Sequence, residues 1–507
     1  MARTPLARAL ERIANEEYRT TRRGLLRGAG AAVAGGAALG QLAPVARGAA
    51  QPKVVIVGAG LAGLTCAYRL KKKGVIADVY EASDRIGGRC WTSRGAFADG
   101  QIYEHGGELI DTGHRELRRL IRELGLDTVD LLEAEADGTD EGYWFDGVAY
   151  SHAQATNDFQ AVKDKVFADT DAAGYPTTYR SFTPRGYELD HMSIVDWIEE
   201  SVPGGIRSRF GQLLDVAYTI EYGADSSRQS SLNLLYLLGF SAAKGPLTIF
   251  GESDERFHVI GGNDQVPKRL ADALEGQLKT GAELVRIKRL SSGAFELTFQ
   301  VGSSARRVTA DHVVLALPFS ILRSSVDYSA AGFNAIKRTA IEELGMGTNS
   351  KLHVQFRSRF WEGRGSNGAT YSDTGYQSTW DVTRGQSGRS GILVDYTGGT
   401  IGLAAGSGSP ESQASLFLDA LEPVLPGARS QWNGRVTRDY WPTYEWTKGS
   451  YAYFKVGQYT RFASAEAERS GNCHFCGEHT SQDFQGYLNG AVQTGEDAAA
   501  EVLADIR

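Results

Sequence analysis

Cysteine is scarce in this chain, four in 507 residues, which excludes a fold held together by disulfides. No segment approaches the roughly 18 consecutive apolar residues that span a bilayer. The longest apolar run, LNLLYLLGF at 232–240, reads as a buried helix. Long basic stretches are also missing: 54 Lys plus Arg stand against 61 Asp plus Glu, a formal net charge of −7. Nucleic acid is therefore not expected as a partner. Eight arginines and three glutamates fall in the first fifty residues, so the rest holds 46 basic against 58 acidic side chains, a balance that favours the approach of small cations. The 61 glycines follow no G-x-y period and no internal repeat is evident. What remains is an ordinary globular composition, 42% hydrophobic and 23% charged, long enough for about two to four domains.

The front of the chain reads TTRRGLLR at 20–27, then a Gly/Ala-rich, weakly apolar stretch from Gly28 to Ala46 and small residues at Gly48, Ala49 and Ala50. It resembles a twin-arginine export signal over residues 1–50. The expectation is an exported protein, periplasmic or extracellular, with no stable membrane anchor.

Residues 53–70, KVVIVGAGLAGLTCAYRL, place four β-branched residues before Gly58, Gly60 and Gly63, and then leucines and a tyrosine at helical spacing. Gly58 permits a tight turn, Gly60 lets the backbone approach a pyrophosphate, and Gly63 allows close helix–strand packing. The phosphates then meet a helix N-terminus. A second strand, VIADVYE, ends at Glu81, 23 residues after Gly58, where a carboxylate can hold a ribose hydroxyl. The following ASDRIGGRCWTSR offers Arg85 and Arg89 for charge-assisted hydrogen bonds to phosphates, and Gly87 and Gly88 for close backbone approach.

Here the chain resembles the two-dinucleotide-binding flavoproteins, whose E-x-x-x-R-x-G-G-R run marks FAD. The C-terminal HFCGEHTSQDFQGYLNGAVQTGE at 474–496 resembles the closing motif of the flavin amine oxidase family, the group of monoamine, polyamine and L-amino acid oxidases. The likeness extends from about residue 53 to 507. It implies cofactor contacts from Gly477 and Glu478 and from Gly486 and Leu488, with Val285 of GAELVRI on adenine and Gly107 and Glu108 of GGELID nearby. Trp441 would help to wall the flavin.

The resemblance also implies three catalytic residues. Lys351, in GMGTNSKLHVQF, would hold a water against flavin N5, and Tyr451 and Tyr487 would stand either side of an amine. Pattern alone says less about Lys351, because Lys351, His353 and Gln355 alternate with apolar residues as on any half-exposed strand. A cage of aromatic faces attracts a cationic amine, and a dry slot lowers its pKa so that it reacts neutral. Hydride transfer to flavin then needs no ionised protein base, which suits a sequence with no evident Ser-His-Asp or paired-carboxylate signature. Ser450 stands where some relatives carry a flavin-linking cysteine, so FAD is expected to be non-covalent. Leu109 stands where L-amino acid oxidases carry a carboxylate-binding arginine, so amines without an α-carboxylate are favoured; the alternative is a relocated arginine such as Arg256.

Cys473 and Cys476 form C-x-x-C around His474, but residues three apart on a strand face opposite sides. No second pair completes a metal site, and no metal is expected. Cys66 and Cys90 read as filling space near the nucleotide fold. His105 suits either the flavin edge or a structural role. Glu221, Tyr222, Glu255 and Arg256 fall where this family lines its substrate channel, and carboxylates there could hold the second ammonium of a diamine. Residues 151–190 read as a loop-rich excursion or lid.

The expected fold is α/β: a Rossmann-like FAD-binding domain from 53–112, 256–335 and 462–507, with a mixed α+β substrate domain from 113–255 and 336–461. The expected reaction is FAD-dependent oxidation of a small-molecule amine to an imine, which hydrolyses to a carbonyl. Dioxygen would reoxidise the flavin and give hydrogen peroxide. An L-amino acid oxidase, or a dehydrogenase passing electrons to a redox protein, are the alternatives. A homodimer is compatible with either.

Overall fold

In the computed structural model, which describes residues 52–241 and 245–506, the apolar run after Lys53 becomes the strand Val54–Val57 at the centre of a parallel sheet. Its neighbours are Ala77–Tyr80 and His312–Leu315, flanked by Leu278–Lys279 and Cys473–Phe475. A central parallel strand is covered on both faces, hence four apolar residues in a row instead of alternation. Val55, Val57, Val313 and Leu315 face one core, and Val54, Ile56 and Val314 face the other. The export-signal segment lies outside the described residues. Among the described residues, no helix is long and apolar enough to cross a membrane.

A second, seven-stranded sheet runs in the order Trp432–Tyr440, Ser350–Phe356, Gly391–Thr397, Ser378–Asp381, Ser366–Ser372, Asp140–Phe145 and Val148–Ser151. All pairs are antiparallel except Ser366–Ser372 with Asp140–Phe145. The strands of the parallel sheet all come from 53–112, 256–335 and 462–507, and those of the larger sheet from 113–255 and 336–461. A small ribbon, Thr128–Asp130 against Phe257–Val259, ties the two groups together.

The segment 151–190 is not loop-rich. It holds the 22-residue helix His152–Ala173, opened by a reciprocal capping box between Ser151 and Gln154, and the helix Pro184–Asp190. Ala155, Phe159, Val162, Val166, Thr170 and Ala173 recur every three or four residues and form its buried stripe. The many Asp, Thr and Asn residues of the outer face hide that period. Ser231–Leu238 is the buried helix that its leucines imply.

Candidate active site

The cavity opens at the C-terminal ends of the parallel strands, the usual place for a ligand in a doubly wound sheet. Gly58 follows the first strand with φ +103°, and a Cβ there would sit 2.6 Å from the Ala316 carbonyl oxygen. A Cβ on Gly63 would collide with the Gly58 carbonyl oxygen. Gly60 differs: a Cβ there would meet no protein atom within 4 Å. It caps the helix Leu61–Lys71 without a side-chain cap, so the helix opens onto the cavity with its first amides available to an anion. This cradle fits the pyrophosphate of a dinucleotide.

Glu81 lines the same end, with one carboxylate oxygen accepting from Ala59 N at 2.7 Å and the other from Ser83 N at 2.9 Å. Arg85, Gly88 and Arg89 also line the cavity, but both guanidinium groups have protein partners. Arg85 donates to the Tyr444 hydroxyl at 2.6 Å and lies 4.1 Å over the Trp91 ring. Arg89 donates to Glu478 at 2.7 Å and to the Ser450 carbonyl at 2.8 Å. Five N–H donors per arginine exceed these contacts.

Val285 is not on the cavity wall. The strand Ala282–Arg289 has an irregular register between Leu284 and Arg286, and the Val285 carbonyl accepts from Asp327 N at 2.9 Å. Ala282, Glu283 and Leu284 line the cavity instead.

Gly477, Glu478, Gly486 and Leu488 all reach the cavity, as do Gly107, Glu108 and Trp441. Glu478 acts as a brace: its carboxylate takes Arg89, Gly486 N at 2.9 Å and Ala452 N at 3.3 Å, joining three distant segments. Trp441 donates its indole N–H to the His105 carbonyl at 2.9 Å. His105 itself stacks on Trp91 and holds Asp439 at 2.5 Å, away from the cavity wall.

Lys351, Tyr451 and Tyr487, up to 136 residues apart in the chain, line this one cavity. The strand Ser350–Phe356 is buried on both faces, not half-exposed, because residues 96–106 cover its polar side. The Lys351 ammonium donates to the carbonyls of Glu104 and Gly106 at 3.2 and 3.0 Å and to Glu108 at 2.8 Å. Each N–H thus has a protein acceptor, and the geometry makes Lys351 a fixed positive charge. Burial pushes the Glu108 carboxyl up, but Lys351 and the Trp380 N–H outweigh it and hold the group below the usual carboxylate range. The Glu108 carboxylate therefore serves Lys351 and Trp380.

Tyr451 and Tyr487 are both tied to one helix, Arg209–Tyr222. The Tyr451 hydroxyl reaches the Ile220 carbonyl at 3.0 Å and Tyr396 at 2.6 Å, and Tyr487 donates to Glu221 at 2.7 Å. Glu255 joins Glu221 on the wall. Burial, with the nearby Glu221 and Asp111 charges, pushes its carboxyl up to about 8.

A family model described as flavin containing amine oxidoreductase matches residues 61–503. The chain belongs to this family. An L-amino acid dehydrogenase of Synechocystis is 24% identical, the alignment covering 89% of this chain and 94% of the relative. Among solved structures, cyclohexylamine oxidase from Brevibacterium oxydans shares 24% identity with a TM-score of 0.78, covering 90% of this chain and 99% of that one. Wild-type putrescine oxidase bound to putrescine shares 25% identity with a TM-score of 0.75 over the same fractions.

In this amine oxidoreductase, Trp380, Tyr396 and Tyr444 escaped the sequence reading although all three line the cavity. Tyr396 pairs with Lys351 across adjacent strands, and Trp380 meets Tyr396 edge-on at 5.2 Å. Strand register, which no local pattern carries, places Trp380 and Tyr396, whereas Tyr444 follows the short turn Trp441–Thr443. Cys473 and Cys476 fall in separate cores on opposite sides of the sheet.

Proposed function

We propose that this flavin-dependent amine oxidoreductase oxidises amines that lack an α-carboxylate, and prefers those bearing a second positive charge. The observation that carries this is the pair of carboxyl groups on the cavity wall. Glu221 and Glu255 stand there with the tyrosine cage, whereas the only arginines lining it among the described residues are Arg85 and Arg89. Leu109 lines the cavity, and Arg256 is turned to Asp130 at 2.6 Å. An α-carboxylate would meet two acids, while the lining cations Arg85, Arg89 and Lys351 are already held by Tyr444, Glu478 and Glu108, which counts against the L-amino acid reading despite the name of the Synechocystis relative. The putrescine-bound relative supports a diamine.

Bound FAD would take hydride from the C–H beside nitrogen and pass the electron pair to dioxygen, giving an imine that hydrolyses and hydrogen peroxide. The protein supplies position and dryness. Tyr451 and Tyr487 line the cavity, where aromatic faces would attract the entering cation and desolvation would favour the neutral form of the reacting nitrogen. With its carboxyl near 8, Glu255 is mostly protonated at neutral pH in the empty site. A second ammonium beside it favours the carboxylate, so diamine binding releases a proton and tightens as pH rises through 8.

Peroxide release from diamines, monoamines and L-amino acids tests the reading. Diamines are expected to give the highest kcat/KM. Glu255→Gln should raise diamine KM about 10- to 100-fold and leave monoamine KM within about threefold. Wild-type diamine KM should fall roughly tenfold between pH 7 and 9 relative to E255Q. Best turnover of L-amino acids, or equal E255Q effects on both amine classes, would defeat the proposal. Flavin bleaching under anaerobic conditions without recovery in air would instead point to a protein electron acceptor.

The flavin is proposed to be dissociable. Ser450 binds Asn349 at 2.5 Å, and Cys90, the one cysteine lining the cavity among the described residues, turns its thiol to the Asn263 carbonyl at 3.3 Å. Acid precipitation should leave the yellow colour in the supernatant; colour in the pellet would refute this.

A further inference from the structure

Two buried imidazoles and two carboxylates gather at the edge of the parallel sheet, away from the cavity. His312 begins its strand and His474 lies in the neighbouring edge strand, their rings 5.9 Å apart. Asp505 and Glu501, one turn apart on the C-terminal helix Leu488–Ile506, face them. None of the four lines the flavin cavity, which lies at the opposite ends of these strands.

We propose that His312, His474 and Asp505 bind a zinc-class divalent cation that staples the C-terminal helix to the sheet. The ligand atoms lie within 4.8 Å of one another. His474 Nε2 is 3.6 Å and His312 Nδ1 4.0 Å from the Asp505 carboxylate. Both side chains are more than nine-tenths buried, and neither nitrogen has a hydrogen-bond partner. Burial without a partner is costly for such groups, and a cation would satisfy both at once.

The second observation is the carboxylate behind the imidazole. Glu501 holds His474 Nδ1 at 2.7 Å, which places the proton there and leaves the Nε2 lone pair facing His312 and Asp505. Metal-binding histidines are commonly oriented by a carboxylate on the other nitrogen. Tetrahedral bonds of about 2.0–2.1 Å require ligand atoms roughly 3.3 Å apart, so the site must close by a fraction of an ångström to about an ångström and a half. Asp505, on the exposed helix face, can supply that movement. Two nitrogens and one oxygen suit zinc, cobalt or nickel, not magnesium or calcium. The competitor is Arg469, which holds Asp505 at 2.5 Å and is half exposed; metal binding displaces it. The nearby C-x-x-C pair takes no part, because its thiols point into separate cores.

The test is calorimetric titration of the untagged holoenzyme with zinc chloride, with magnesium as control. One saturable zinc per chain is expected and no magnesium binding. His312→Asn and Asp505→Asn should weaken zinc at least tenfold, and Glu501→Gln about tenfold or more. Arg469→Gln should tighten it, an effect that loss of a merely structural contact would not produce. Zinc at a hundredfold excess over its dissociation constant should raise the wild-type Tm by about 3 °C and leave that of H312N unchanged. An unchanged flavin spectrum shows that each variant is folded, and amine turnover should stay near wild type. Absence of saturable zinc binding, or binding that survives both H312N and D505N, would overturn the proposal.

Discussion

Replacing Lys351 with methionine is expected to slow reoxidation of the reduced flavin roughly 100-fold and to cost about 3–5 kcal/mol of stability. The two effects have separate causes. Methionine keeps the volume of the stem but removes a buried charge that donates to two carbonyls and to Glu108. The Glu108 carboxylate is then left in a dry site with the Trp380 N–H as its remaining partner among those described. Breaking one half of a buried ion pair leaves the other uncompensated, which accounts for the stability loss. The kinetic loss follows if a fixed positive charge favours electron transfer to oxygen. The double variant K351M/E108Q separates them, because the neutral amide has no charge to orphan. Its melting temperature should recover most of the loss while reoxidation stays slow. Stopped-flow mixing of photoreduced enzyme with aerated buffer, beside thermal melts, reads both. A wild-type rate in the double variant would take Lys351 out of the oxygen half-reaction.

Glu478→Ala should strip the protein of flavin and cut amine turnover at least 100-fold. The carboxylate joins Arg89 of the Gly-Gly-Arg turn, Ala452 beside the first cage tyrosine, and Gly486 beside the second. Alanine leaves the Arg89 guanidinium short of its carboxylate and two backbone N–H groups without this acceptor. Each unsatisfied group costs about 1–3 kcal/mol. The three segments then lose their common anchor, and both tyrosines drift relative to the nucleotide cradle. Glu478→Gln, which can still accept from one or two of these donors, should fall between wild type and alanine. The ratio of visible to ultraviolet absorbance after gel filtration, and reconstitution titrations with FAD, measure the loss. Full flavin content and activity in E478A would show that the brace carries little energy.

Much of the nucleotide half was legible because its signals are local. Val54–Val57, the three glycines and the following helix lie within eighteen residues, and Gly58 and Gly63 answer steric demands while Gly60 leaves the helix end open to the cavity. The long helix His152–Ala173 was missed: its three-and-four spacing was present, but its polar outer face made the segment read as loop. Val285 shows the opposite failure. Its strand was found, but the register irregularity between Leu284 and Arg286 falls on Val285 itself, and Ala282, Glu283 and Leu284 line the cavity instead. The partners of Arg85, Arg89 and Lys351 are 359, 389 and 243 residues distant in the chain. Spacing carries no information at that range.

The sequence by itself determined a doubly wound nucleotide fold, a flavin amine oxidoreductase, and the identity of the lysine and two tyrosines that line its cavity. The nucleotide fold follows from short motifs read locally, whereas the family and the lysine and two tyrosines follow from the resemblance that those motifs carry. Only the tertiary structure decided that the lysine is pinned by Glu108, that Glu478 braces three segments, and that Glu221 and Glu255 meet on one cavity wall. A side chain's charge and reach are written in its type, but what it pairs with depends on which distant strands and helices pack against it. The neighbours then set the outcome: Lys351 holds the buried Glu108 carboxyl below the usual range, whereas burial with the Glu221 and Asp111 charges pushes that of Glu255 up to about 8.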